Sequence, residues 1–236
     1  MSDPVNVLHL FEGIGGFSLG CQRAGMRPVG QVEIDPWCRS VLARHWPEVP
    51  RHDDVRTAAA WWQSRPDRPR VDVITGGFPC QPVSVAGRRR GVDDDRWLWP
   101  AMADVIAAIR PRWVLWENVP GLRTAGLDVV HADLVRLGYR HRVGYASACE
   151  MGAPHPRRRL LGLAHTHRPR RATGSRMEPT RPPTVGTGRW PAEPDVGRVA
   201  HGLPGRVDRV TALGNAVVPR LAEHMARLIL AHHDTA

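Results

Sequence analysis

The sequence predicts an α/β fold built on an open, mostly parallel sheet. Three observations carry that expectation. Short β-branched or apolar runs alternate with helix-length apolar periodicity along residues 5–164. The first run, residues 5–10, opens into a glycine-rich turn, Phe11-Glu12-Gly13-Ile14-Gly15-Gly16, that leads into a helix. The second run ends in Glu33, about 20 residues after Gly13, the spacing at which an acid bonds ribose hydroxyls in dinucleotide-binding folds.

Composition sets the outer bounds. With 236 residues and 42% apolar side chains, the chain is long enough for one domain with a real core and a small appendage. The formal charge is +10, and with no lysine in the sequence every permanent cation is an arginine. Arginine forks suit phosphates and base edges, so the excess points to an anionic partner such as nucleic acid. Cys21, Cys38, Cys80 and Cys149 form no C-x-x-C pair, which argues against a structural zinc site and a disulfide framework. There is no signal-peptide pattern and no apolar run long enough for a bilayer; a reducing, cytoplasmic setting is expected.

The elements follow in order. A helix is expected from Phe17 to about Ala24, starting where the glycines let backbone N–H groups approach a ligand. A strand over 29–34, a helix over 36–46 and a short strand ending at His52-Asp53-Asp54-Val55 come next. A loop with Pro66 and Pro69 leads to a strand over 71–75, which runs through Gly76 and Gly77 into Phe78-Pro79-Cys80-Gln81. Ligands in open parallel sheets sit beyond the carboxyl ends of the strands, so Cys80 stands where chemistry is expected, on a turn stiffened by Pro79. Ser84 to Gly91, with Arg88, Arg89 and Arg90, reads as a basic loop able to close on an acidic ligand. A helix over 97–109 and a strand over 112–116 place Glu117 37 positions after Cys80, about one strand–helix–strand crossover, so thiol and carboxylate face one cleft. A helix over 127–137, an apolar segment around 143–146 and a strand over 160–164 complete this half. Residues 166–197 are rich in Arg, Pro, Gly and Thr and carry no periodicity; Leu213 to Pro219 then lead into a last helix through Leu230.

Five ordered motifs now stand together: Phe11-x-Gly13-x-Gly15-Gly16, Pro79-Cys80-Gln81, Glu117-Asn118-Val119, Arg157-x-Arg159 and Gly214-Asn215-Ala216-Val217. The set resembles the cytosine-C5 DNA methyltransferases over residues 5–164 and 209–230. The resemblance implies a Rossmann-like domain that uses S-adenosylmethionine, needs no metal, and acts on double-stranded DNA. That domain would comprise residues 1–165 and 210–236, with 166–209 as a short recognition region or linker. By the same resemblance Cys80, Glu117, Arg157 and Arg159 are catalytic. Phe11, Gly13, Gly15, Gly16, Glu33, Ile34, Asp54, Val55, Pro79, Leu98 and Asn215 hold the cofactor, and Ser84, Arg88, Arg89 and Arg90 contact DNA. The target base would flip out of the duplex to meet Cys80. A cognate restriction endonuclease is compatible with this reading, and no protein partner is required for the chemistry.

Some positions depart from the family pattern. Ile34 stands where tryptophan is usual, Val83 where phenylalanine is usual, and His155 where glutamine precedes the first arginine. Only about 45 residues fill the place of a much larger recognition domain, so a short or degenerate target and salt-dependent binding are expected. Three other readings remain at this point. The same motifs occur in tRNA cytosine methylases, a silent DNA-binding protein would keep the fold, and a nicotinamide oxidoreductase would account for the first turn and Glu33.

Overall fold

A computed structural model of the chain describes residues 3–79, 97–166 and 212–233. Among them, seven strands form one sheet in the order β3-β2-β1-β4-β5-β7-β6. The strands are β1 Asn6–Leu10, β2 Arg27–Val32, β3 Arg51–His52, β4 Val73–Gly76, β5 Trp113–Asn118, β6 Tyr139–Ser147 and β7 Arg158–Thr166. The first five are parallel, whereas β7 runs antiparallel to both β5 and β6. The helices are α1 Gly16–Ala24, α2 Pro36–His45, α3 Ala58–Ser64, α4 Trp99–Ile109, α5 Leu122–Ala125, α6 Leu127–Arg136 and α7 Pro219–His233. None of the described helices is long and apolar enough to cross a membrane.

The period-2 alternation of buried strands divides the core between the two sheet faces. Leu8, Leu10, Ile74, Val114 and Trp116 pack with Trp62 of α3, with Trp99, Met102 and Ile106 of α4, and with Leu134 of α6. Val7, Val73, Trp113 and Leu115 point the other way, onto Phe17 and Cys21 of α1 and Ala222, Ala226 and Ile229 of α7. The end of the described chain therefore covers the same face as its beginning. Close approach makes this possible: a Cβ on Gly20 would lie 2.5 Å from both the Ala222 Cβ and the Pro219 carbonyl oxygen.

Several expected boundaries move. β2 stops at Val32, leaving Glu33 just beyond the strand, while β5 continues through Glu117 and Asn118, which pair with Leu161 and Leu160 of β7. β6 is longer than the apolar stretch at 143–146, because it lies at the sheet edge and carries exposed polar side chains such as Arg140 and Arg142 that dilute the alternation. α3 was not anticipated. Seven residues are too few to establish a 3.6-residue pattern, and the helix is held by burying Ala58 and Trp62.

Candidate active site

The carboxyl ends of β1, β2, β4 and β5 share one edge, and most of the chemistry-bearing residues gather there. After β1, Phe11 takes φ 53° and Gly13 φ 58°, so the chain folds back at once into α1. The Gly13 amide donates to Glu33 Oε2 at 2.7 Å, and the Asp35 amide donates to Glu33 Oε1 at 2.8 Å. Among the described residues nothing lies within 4 Å of where a Cβ on Gly13 would stand, so they leave open space against the turn. Ile34 is exposed at 65%, beside Glu33. At the end of β3, the Asp54 carboxylate accepts from Arg56 Nε and Nη2 at 2.9 and 2.8 Å, and these bonds hold it below the usual carboxylate range. Val55 is buried, and Phe11 and Leu98 are partly buried against the core on that side.

The second half of the edge is built by β4, β5 and β7. Gly76 pairs with Trp116, which sets Gly77 beside Glu117; a Cβ on Gly77 would be 3.6 Å from Glu117 Oε2. Glu117 is 7% exposed, and Arg159 Nε pairs with its Oε1 at 2.8 Å. Burial pushes the Glu117 acid up, while the Arg159 and Arg157 guanidinium groups pull it back down. Asn118 ties the edge together: its Nδ2 donates to the Phe78 carbonyl at 2.9 Å and its Oδ1 accepts from the Val119 amide at 2.8 Å. The segment that ends in Phe78-Pro79 is thereby fixed to β5. Cys80, Ser84, Arg88, Arg89 and Arg90, and the arginines of 167–211, lie outside the described residues.

Arg157 does something its spacing did not suggest. Its Nη2 donates to the carbonyls of Gly214 and Ala216, both at 2.7 Å, and its φ is 29°. It therefore straps the segment carrying Asn215 onto the start of β7, whereas Arg159 makes the ion pair with Glu117. Asn215 is exposed at the end of a helical turn over 212–215. Gly15, Gly16, Trp46, Arg157 and Val217 line a cavity of about 650 Å³ between the glycine-rich turn and this strap.

A family model for C-5 cytosine-specific DNA methylases matches residues 5–186. The chain belongs to that family. It is 32% identical over 169 residues to the type II methyltransferase M2.BsuMI of Bacillus subtilis, an alignment covering 68% of this chain and 42% of the relative. It is 35% identical over 162 residues to the type II methyltransferase M.AplI of Arthrospira platensis, covering 67% and 45%. The chain thus spans less than half the length of these methylases. Among solved structures, a DNA modification methyltransferase encoded within an E. coli prophage superposes with a TM-score of 0.57 at 28% identity, covering 69% of this chain and 47% of that one. The Dnmt2 methyltransferase of S. pombe superposes with a TM-score of 0.58 at 23% identity, covering 71% and 53%, which speaks for the shared fold.

Two features of this edge escaped the sequence reading. Asn118 was visible in its motif, but only the neighbouring strand reveals that it holds Phe78. Glu12 and His9 are buried within the first strand and turn. Their signal was available, since ionisable residues inside an otherwise apolar run are uncommon in a core.

Proposed function

We propose that the protein transfers a methyl group from S-adenosylmethionine to C5 of cytosine in DNA, through a covalent Cys80 adduct to a flipped-out base. The observation that carries this reading is the parallel pairing of β4 with β5. It brings the Phe78-Pro79 approach to Cys80 next to the buried Glu117–Arg159 pair, on the edge that also holds the Gly13–Glu33 contact.

The residues fit the cofactor. The open face of Gly13, the Glu33 carboxylate and the exposed Ile34 offer a surface for a nucleoside, with Phe11, Asp54, Val55, Leu98 and Pro79 around it. Gly15, Gly16 and Asn215 would complete the holding set. When bound, S-adenosylmethionine supplies an electrophilic methyl group.

The chain's own residues do the rest. The Cys80 thiolate adds to C6 of cytosine, forming a C–S bond and pushing an electron pair toward C5. Glu117, whose acid is raised by burial, holds a proton for the ring N3 and accepts from the exocyclic amine. Arg159 neutralises the site and faces the base oxygen. After methylation, water removes the C5 proton, the C–S bond breaks and the thiolate is released. Residues 1–165 and 210–236 form the catalytic unit in this reading, and 166–209 the recognition region or linker. The alternatives are a tRNA cytosine methylase and a silent DNA-binding protein. Purified protein with labelled S-adenosylmethionine should methylate duplex DNA and leave tRNA unlabelled, and bisulfite sequencing should map the product to cytosine. Labelling of tRNA alone, or of neither substrate, would overturn the proposal.

A further inference from the structure

Beneath the glycine-rich turn lies a polar row that the proposed chemistry does not use. His9 on β1 is in register with Gln31 on β2 and Thr75 on β4, so all three side chains point to the face covered by α1. Each is fully buried. His9 Nδ1 and Thr75 Oγ1 are 2.7 Å apart, and Gln31 Nε2 donates to Ser18 Oγ at 3.0 Å. The Ser18 amide donates to Glu12 Oε1 at 2.8 Å. Among the described residues Glu12 Oε2 has no hydrogen-bond partner, and it lies 3.7 Å from His9 Nδ1.

Ser18 belongs to the first turn of α1, where backbone N–H groups lack helical acceptors. The residue that should cap this turn is Gly15, which has no side chain to offer. Glu12 takes over that duty from three residues further back. Its backbone is pinned as well: its amide donates to the Val32 carbonyl at 3.2 Å, and its carbonyl accepts from the Gly15 amide at 3.1 Å. An apolar side chain at position 12 would be easier to bury but would leave the Ser18 amide without its acceptor.

We propose that Glu12 is a positioning residue, which clamps the first turn of α1 to the sheet and thereby fixes the Gly13–Gly16 backbone against which the cofactor binds. This rests on the reading of that turn as the cofactor site. The link is short, because the Gly13 amide that orients Glu33 follows Glu12 directly. The titratable groups facing the carboxyl are His9 on β1, Glu33 after β2 and Cys21 on α1, none of them a permanent cation. Burial pushes the Glu12 acid up to about 8 and His9 down to about 3. At neutral pH both are uncharged, so their approach is a neutral contact and the clamp works as a neutral acid.

The test compares wild type, Glu12→Ala and Glu12→Gln by amide hydrogen exchange of the free protein and by calorimetric titration with S-adenosylmethionine. In Glu12→Ala the Ser18 amide should lose protection and cofactor affinity should weaken about tenfold, the scale of a lost helix cap, with the loss falling on KM for the cofactor and not on kcat. Glu12→Gln, whose amide oxygen can accept from Ser18, should restore both. A protected Ser18 amide and unchanged affinity in Glu12→Ala would overturn the proposal, as would a Glu12→Gln protein as impaired as Glu12→Ala. Wild type that failed to bind S-adenosylmethionine would overturn the cofactor reading instead, and the exchange comparison alone would then decide on the clamp.

Discussion

Two buried carboxyls sit on the same face of the sheet, and burial raises both, but they are given different partners. Glu12, at the end of β1, is 4% exposed and faces neutral groups and another acid; its proton stays on to about pH 8. Glu117, near the end of β5, is 7% exposed and has a guanidinium at 2.8 Å that opposes part of the upward push of burial. Burial is nearly equal at the two sites, and only at Glu117 do guanidinium groups pull against it. The lone acid is suited to holding backbone in place. The paired acid is suited to exchanging a proton with a base that enters beside it.

The sharpest way to break the comparison is to remove the partner. Arg159→Ala would leave Glu117 buried without its cation. Methylation should fall by roughly 10² or more, and the fold should lose on the order of 3 kcal/mol, as when one member of a buried pair is deleted. Rate assays and denaturant melts read these separately. Glu117→Gln keeps the shape but not the proton chemistry, so the rate should drop by roughly 10² with cofactor affinity unchanged. A fall in cofactor affinity in step with the rate would place Glu117 in the wrong site.

A smaller effect separates the two arginines. Arg157→Ala should free the Gly214–Ala216 carbonyls and weaken S-adenosylmethionine binding about tenfold, by loss of charged hydrogen bonds. Arg159→Ala should leave that affinity within about threefold, since its partner is Glu117. Equal effects of both substitutions on cofactor titrations would dissolve the distinction.

The smallest effect concerns pH. Glu12 is raised from 4.5 to about 8 in the folded protein. Between those values the folded state keeps a proton that the unfolded chain releases. Stability should therefore fall as pH rises through this window and level off above it. Glu12→Gln removes that slope, so the Tm of wild type minus that of the variant should decline between pH 5 and 8. A difference that is flat or rises over that range would contradict the neutral-acid assignment.

What could be read from the sequence was local, and what could not be read depended on partners distant along the chain. The strand–turn–helix at Leu10–Gly16, the acid after β2 and the crossover from β4 to β5 follow from β-branched runs, glycines and loop lengths. The bond from Asn118 to Phe78 spans 40 residues and that from Arg157 to Ala216 spans 59, so no local pattern announces either. Arg157 and Arg159 look equivalent as a motif. Strand alternation would put both on one face, but Arg157 stands just before β7 with φ 29°, and it meets backbone carbonyls while Arg159 meets the carboxylate. α3 and the outer part of β6 were missed because one is too short and the other too exposed for apolar periodicity to show.

The most direct measurement concerns Cys80. Wild-type protein, S-adenosylmethionine and a DNA duplex containing 5-fluorocytosine should give a covalent complex that survives denaturing electrophoresis, because the C5 fluorine cannot leave as a proton does and the adduct cannot resolve. Cys80→Ser, folded to the same Tm, should give none. Trapping by Cys80→Ser, or methylation of ordinary DNA by a wild type that forms no adduct on the fluorinated duplex, would contradict the account.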